Sequence, residues 1–234
     1  MPSWPRSCPT RIPPPTRRTA GALQTLGVEK GARFAVLARN GFRGQIFASQ
    51  GTSALCRIVL PDSGHLQEKD AEYANRKGFS KHKPAVPLYG VRDAERALEF
   101  FFTVPFGTTI QLPGGANLTF RYAGHILGAA TADIEWEGRH IAFSGDLGRY
   151  DDPVMHDPQP ITEADYIVIE STYGNRIHEA TDSTERLGSV IERTVQRGGT
   201  VVIPAFAVGR AQSLLYHLWK LKTAGRIANI PIYL

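Results

Sequence analysis

The chain has 234 residues, of which 42% are hydrophobic and 21% are charged, a composition typical of a globular protein. Its two cysteines, Cys8 and Cys56, exclude a disulfide framework and a paired-cysteine zinc motif, and they predict a reducing, cytoplasmic location. No apolar run reaches the roughly 18 residues of a membrane span, and the first segment lacks the apolar stretch of a signal peptide. The sequence therefore predicts no membrane partner.

The net charge of +5 is confined to the first 33 residues, which hold six of the 27 basic residues and one of the 22 acidic residues. The rest of the chain is neutral, so its overall charge indicates no particular partner. Six of the 16 prolines lie in residues 1–15, which predicts that residues 1–32 are disordered. This segment could be a basic tail that touches phosphates or a partner, or it could be foreign to the fold. We favour the second interpretation.

Residues 33–100 are predicted to be mainly helical. In chain order, we expect a helix over 33–40, a strand over 45–48, a helix over 52–60 that ends at Pro61, a polar stretch over 62–83 that is helical at first and then becomes a surface excursion, and a helix capped by Asp93 that continues to residue 100.

From residue 101 the pattern changes to strands. Leu118, Phe120 and Tyr122 alternate with polar residues, and a second alternating run, 132–137, turns at Gly138 into another strand, which indicates a mixed or antiparallel sheet. The continuous apolar run 166–169 is typical of a strand covered on both faces. The remaining expected elements are a helix after Asp182 that Gly198 stops, a buried strand over 200–203, a helix over 210–222 and a strand over 230–234.

Three short motifs follow strand-like runs and carry chemically active side chains. His125 follows Gly124, Asp146 lies in a Ser-Gly-Asp turn, and Glu170 ends the apolar run. A lone histidine is usually packed or solvated, and Gly-Asp is a common turn pair, so each motif alone is weak. The three together, in this order, indicate a metal-dependent active site.

These motifs resemble segments of the metallo-β-lactamase superfamily, and within it the β-CASP branch of RNA-processing nucleases. The resembling stretches are NGFRG at 40–44, DSGHLQE at 62–68, DAEY at 70–73, GHILGA at 124–129, FSGDLGR at 143–149, ESTYG at 170–174 and PAFAVGRAQ at 204–212. The resemblance runs from about residue 33 to residue 234. It implies an α/β fold, the αββα sandwich of that superfamily, over 33–204, and the first part of a β-CASP insertion domain over 205–234.

The resemblance also implies a site with two zinc ions and RNA as the substrate. His125 would bind one zinc and Asp146 would bridge both, since a carboxylate between two metals offsets their repulsion. Glu170 would orient a histidine that protonates the leaving oxygen. Arg210 could receive an RNA phosphate at the start of a helix, although it could equally be an ordinary helix start.

The sequence departs from the family at the superfamily's HxHxDH loop. The matching positions hold Thr25, Gly27, Glu29 and Lys30. The later histidines of the family do not occur either. The other histidines show no His-x-His or His-x₃-His spacing; they are His65, His82, His140, His156, His178 and His217. Because zinc takes about three protein donors, His125 and Asp146 are too few, and we expect an incomplete copy with little or no activity.

Three functions remain open at this point. The first is a β-CASP ribonuclease by descent, truncated and weakly active or inactive. The second is a non-catalytic module that binds RNA or a protein, either as a homodimer or with an intact paralogue. The third is a hydrolase of a small ester or thioester, which the ESTYG and GRAQ stretches disfavour. We also expect poor solubility, because an incomplete sheet exposes edges and apolar faces.

Overall fold

The computed structural model describes residues 21–22, 28–177 and 182–234, with side chains from residue 33 onward. Helices alternate with two sheets, which confirms the predicted α/β class. In chain order the elements are β1 (Gly21–Ala22), α1 (Val28–Arg39), β2 (Ile46–Ala48), α2 (Gln50–Lys77), α3 (Val91–Leu98), β3 (Phe101–Thr103), β4 (Thr109–Gln111), β5 (Asn117–Tyr122), β6 (Ala130–Trp136), β7 (Arg139–Phe143), β8 (Tyr166–Val168), α4 (Ser183–Gln196) and α5 (Arg210–Thr223).

Part of the described backbone precedes residue 33. Gly21 and Ala22 pair in parallel with β2, and α1 begins at Val28, five residues ahead of that position. The rest of the segment predicted to be disordered lies outside the described residues. The boundaries proposed for the domains stay predictions.

Helix α2 runs through Pro61, so the prediction that it ends there was wrong. Proline removes one helical hydrogen bond and costs about 3 kcal/mol in a helix interior. The neighbouring Leu60 is 1% exposed and packs with Tyr89 in the core that α1, α2 and α3 share. We attribute the continuation to this packing. The ends of the helix are set by Ser49, whose Oγ accepts from the Thr52 N–H, and by Gly78 in the left-handed conformation.

Helix α3 begins one turn before the residue predicted to cap it. The N-cap position is Gly90, and Asp93 is the third helical residue. The Asp93 carboxylate still serves the helix end, because it accepts the Gly90 N–H at 3.1 Å. A carboxylate at this position satisfies a free N–H just as an N-cap side chain does, which explains the displaced prediction.

Two sheets pack against each other behind the helices. The first has the parallel order β1-β2-β3, and the second has the order β4-β5-β6-β7-β8, antiparallel up to β7 and parallel from β7 to β8. Phe47 of the first sheet enters one core with Leu118 and Phe120 of the second. The predicted β6–β7 hairpin is confirmed, with positive φ at both turn residues, Glu137 and Gly138.

Strand β8 is not buried as the sequence predicted. It forms the edge of its sheet, and Tyr166, Ile167 and Val168 are each more than half exposed. In the part of the chain that the structure describes, no helix packs on it. A continuous apolar run predicts a strand that is covered on both faces. The run 166–169 is apolar, but β8 itself is exposed.

Helices α4 and α5 pack on each other rather than on the second sheet. Their shared core is Ile191, Leu218, Leu221 and Ile227, and Thr184 Oγ1 lies 2.9 Å from His217 Nδ1. Both helices and the Asp182 cap were predicted correctly. The strands predicted over 200–203 and 230–234 are irregular and largely exposed, so those two predictions were wrong. A β-branched run forms a strand only where a neighbouring strand pairs with it, and none pairs with these two runs in the described ranges.

Candidate functional site

The His125 loop leaves β5 through a sharp turn at Gly124. This glycine has φ +71°, and a Cβ there would lie 2.5 Å from the carbonyl oxygen of His156. The neighbouring Ala123 is buried, whereas His125 is exposed. The segment that carries His156 also contacts the end of β5, because the His156 ring lies 4.8 Å from the Tyr122 ring. The imidazole of His125 is therefore presented at the surface by a tightly packed turn.

The Asp146 loop leaves β7 and lies directly against the His125 loop. Gly124 and Leu147 form an antiparallel bridge, and the Gly148 N–H donates to the Ala123 carbonyl at 2.7 Å. A Cβ on Gly148 would overlap the Gly124 carbonyl, so only glycine permits this approach. In antiparallel register, the pair next to Gly124 and Leu147 is His125 and Asp146. The structure thus sets the backbones of these two predicted residues side by side.

Glu170 lies beneath the Asp146 loop and holds it. Its Oε1 accepts the Leu147 N–H at 2.5 Å, and its own N–H donates to Ser144 Oγ at 3.1 Å. Ser144 is 1% exposed, and its N–H donates to the Val168 carbonyl at 2.9 Å. Charge-assisted bonds of this kind are about twice as strong as neutral ones. Glu170 therefore positions the loop that carries Asp146, whereas its orientation of a histidine stays a prediction.

The N-terminus of α2 fastens the far end of the His125 loop, a contact that the motif analysis missed. The hydroxyls of Ser49 and Thr52 both donate to the Gly128 carbonyl, at 2.7 and 2.9 Å. A Cβ on Gly128 would overlap the Thr52 N–H and lie 2.6 Å from the Gly51 carbonyl carbon. Ser and Thr three residues apart, directly after a strand, are the sequence signal for such a cap. The His125 loop is therefore held at one end by the Asp146 loop and at the other by the start of α2.

Arg210 is exposed, and its neighbour Gly209 lies against Ile126 of the His125 loop. It is the first residue of α5, and a Cβ on its cap, Gly209, would meet the Ile126 side chain at 2.7 Å. The Arg210 N–H donates to the Val208 carbonyl at 3.1 Å, and the Ala211 N–H donates to the Phe206 carbonyl at 3.2 Å. Because these two N–H groups already have acceptors, a phosphate at this helix start would be bound by the Arg210 guanidinium.

This site offers two side chains that can bind a metal ion, His125 and Asp146. Among the residues with described side chains, no group of three or more His, Cys, Asp or Glu side chains could hold a metal ion. A catalytic zinc takes three protein ligands and a water molecule. Of the other histidines, His140 Nε2 lies 3.9 Å from Asp133 and His217 contacts Thr184, both in other clusters. The described residues therefore do not fit two zinc ions by themselves.

The positions matched to the HxHxDH loop contribute no described side chains. Thr25 and Gly27 lie outside the described residues, and Glu29 and Lys30 belong to α1, of which only the backbone is described there. None of the helices in the described ranges is long and apolar enough to cross a membrane.

Comparison with known proteins finds relatives across most of the chain. Ribonuclease TTHA0252 of Thermus thermophilus is 36% identical over 204 residues, which are 86% of this chain and 42% of the relative. Endoribonuclease YSH1 of Eremothecium gossypii is 34% identical over 205 residues, 85% of this chain and 26% of the relative. Cleavage and polyadenylation specificity factor 73 of Drosophila melanogaster is 33% identical over 200 residues, 84% of this chain and 27% of the relative.

The chain spans less than half the length of these relatives. No protein-family model matches it.

Proposed function

Because this chain belongs to the β-CASP branch of RNA-processing nucleases in the metallo-β-lactamase superfamily, we propose that its site is suited to hydrolysis of RNA phosphodiester bonds. We propose further that residues 33–204 belong to an αββα sandwich and residues 205–234 to a β-CASP domain. With only two metal donors among the described residues, this chain hydrolyses RNA weakly or not at all.

One observation carries this proposal: the bridge between Gly124 and Leu147 aligns His125 with Asp146, and Glu170 holds the aligned loop. The close approach of the two glycine turns supports the proposal, because it leaves little freedom for the backbone that carries His125 and Asp146. The relatives' names, ribonuclease, endoribonuclease and polyadenylation factor, support RNA as the substrate class. They give no support to the ester or thioester alternative.

The roles of the chain's own residues follow from this placement. His125 and Asp146 would be donors for zinc, the ion that the resemblance implies, and by themselves they are too few to hold two ions. Glu170 fixes the Leu147 N–H and with it the direction of the Asp146 loop. Arg210 would neutralise an RNA phosphate, a role supported by the contact of its neighbour Gly209 with Ile126 of the His125 loop.

The first experiment measures zinc content and RNA cleavage together. The chain, Asp146→Asn and the exposed control Asp70→Asn are purified from zinc-supplemented medium, analysed for metal, and incubated with end-labelled single-stranded RNA. We expect less than one zinc per chain and no cleavage that depends on Asp146. Stoichiometric zinc, with cleavage lost only in Asp146→Asn, would overturn the proposed donor count.

A second experiment restores the missing donors. One variant carries the family residues at the four matched positions: Thr25→His, Gly27→His, Glu29→Asp and Lys30→His. With His125 this supplies four imidazoles, enough for one zinc, so we expect bound zinc to rise by about one per chain. The rise should disappear in a variant that also carries His125→Ala. An unchanged zinc content in the four-fold variant would contradict the assignment of the site.

A non-catalytic, protein-binding role is the second candidate, and β8 is the observation that favours it. This edge strand exposes Tyr166, Ile167 and Val168 on an apolar surface that another strand could cover. A homodimer or an intact paralogue would both use this edge. Light scattering of the purified chain, alone and mixed with a full-length relative, tests the role; a monomer in both samples would rule it out.

A further inference from the structure

The C-terminal end of α2 and the loop after it form a compact cluster of cations and aromatic rings. We call it the basic-aromatic patch, and it consists of Tyr73, Arg76, Lys77, Phe79, Lys81 and Lys83. The stretch 73–83 contains four Lys or Arg residues and no Asp or Glu. The neutral balance of the chain beyond residue 33 therefore conceals a local excess of positive charge.

The end of the helix builds the aromatic part of the patch. Gly78 adopts φ +71° and donates its N–H to the Ala74 carbonyl at 2.8 Å, which reverses the chain. The reversal places the Phe79 ring 5.9 Å from the Tyr73 ring, and the Arg76 guanidinium lies 5.4 Å over the Tyr73 ring. Two rings whose planes are tilted by 59° and a guanidinium thus form one contiguous surface.

The loop that carries the lysines is pinned to the helix. Asn75 Nδ2 donates to the Ala85 carbonyl at 2.9 Å, and Asn75 Oδ1 accepts the Ala85 N–H at 2.7 Å. The His82 N–H also donates to Ser80 Oγ at 3.1 Å. Lys81 and Lys83 therefore extend from a loop that is closed at its base, which lowers the entropy lost when they bind a ligand.

Helix termination alone does not account for this surface. A ring contact often accompanies a glycine cap, and one or two cations complement the roughly half-unit negative charge of a helix C-terminus. Four cations within eleven residues exceed that need. The two rings also remain open to solvent after their contact, Tyr73 at 48% and Phe79 at 66%. Exposed rings beside exposed cations suit a ligand that carries both bases and phosphates.

We propose that the basic-aromatic patch binds single-stranded RNA, its rings stacking on bases while the lysines contact phosphates. The patch lies about 42 Å from the N-terminus of α2, since the helix has 28 residues at about 1.5 Å each. That N-terminus contacts the His125 loop at Gly128. An RNA strand bound to both places would follow α2. The inference rests on the proposed function only in taking RNA as the nucleic acid.

The test measures binding without catalysis. Fluorescence anisotropy of a labelled single-stranded oligouridine is recorded in EDTA for the whole chain and for Lys77→Gln/Lys81→Gln/Lys83→Gln. We expect affinity to fall by about tenfold or more at 0.1 M salt, and the slope of log K against log salt to become shallower by about 2. The matched control removes three exposed cations elsewhere, Arg57→Gln/Arg193→Gln/Lys220→Gln. Because these side chains lie outside the patch and would contact no phosphate, the affinity should change less than threefold.

A second variant tests the stacking rather than the charge. Phe79→Leu keeps an apolar contact with Tyr73 and removes the ring, so we expect about fivefold weaker binding of single strands. The exposed control Tyr150→Leu should bind as the parent does. Circular dichroism and thermal melting establish that each variant is folded.

The outcomes separate this inference from the proposed function. Because binding is measured in EDTA, the losses in the lysine and Phe79 variants are expected whatever the zinc and cleavage results. Equal losses in the two triple variants, equal affinity for a duplex of the same length, or an unchanged affinity in Phe79→Leu would each overturn the patch as a single-strand site.

Discussion

Gly148→Ala should separate the two loops of the candidate site. A methyl group at this position would overlap the Gly124 carbonyl and lie 2.7 Å from the His125 backbone nitrogen. All these neighbours are backbone atoms, which cannot rotate away. Overpacking of this kind costs about 1–3 kcal/mol, and the strained Gly148 N–H bond to Ala123 adds about 1 kcal/mol. The expected loss in the free energy of unfolding is therefore about 2–4 kcal/mol.

Urea unfolding followed by far-ultraviolet circular dichroism measures this loss. With an m-value of about 2–3 kcal/mol per molar urea, the midpoint should fall by about 1 M. Gly174→Ala is the matched control, because its Cβ would meet the Ser171 carbonyl oxygen at 3.2 Å, which a small shift can relieve. A Gly148→Ala variant within about 0.5 kcal/mol of the parent, or a loss equal to that of Gly174→Ala, would refute the close approach of the loops.

Three further predictions concern other parts of the molecule. The pKa of Asp165 is lowered from 3.8, first by the hydrogen bond from the His140 N–H and then by Arg139. The ionised carboxylate therefore stabilises the fold above its ordinary pKa, and this stabilisation fades as the pH falls through the lower folded pKa. The difference in melting temperature between the parent and Asp165→Asn should shrink from pH 5 towards pH 2. Burial raises the pKa of Cys56 to about 11, so little of the reactive thiolate is present at pH 8. Alkylation by iodoacetamide, followed by mass spectrometry of the Cys56 peptide, should be at least about a hundredfold slower than that of free cysteine. A comparable rate would contradict the burial of Cys56. Ile167→Lys should raise the soluble yield by charging the exposed edge strand, and an unchanged yield would show that β8 does not cause association.

The fold was predictable where local signals agreed. The helix after Asp182 and the β6–β7 hairpin combine a cap or turn with a clear period, and both are confirmed. The prediction failed at Pro61 because packing of the neighbouring Leu60 outweighs the missing hydrogen bond, which no local pattern reveals. It failed for β8 because burial depends on which elements pack on a strand, and apolar composition does not state that.

The candidate site was predictable as residue types and less so as contacts. Glycine turns after strands pointed to His125 and Asp146, and the bridge between their loops brings them together. The part played by Ser49 was missed, because its partner, the Gly128 carbonyl, lies 79 residues away along the chain. Glu170 was expected beside a histidine, and its contact with the Leu147 N–H could not be foreseen from spacing alone.

The hold of Ser49 and Thr52 on the Gly128 carbonyl has a consequence for how the molecule opens. The carbonyl of a loop residue accepts two hydroxyls from the start of a long helix. Because opening either segment breaks the same hydrogen bonds, neither can fray without the other. Amide hydrogens in the first turn of α2 and around Ala129 should therefore exchange with a common opening free energy, as one cooperative unit. Replacing both hydroxyls would uncouple the two segments and let the loop exchange faster than the helix.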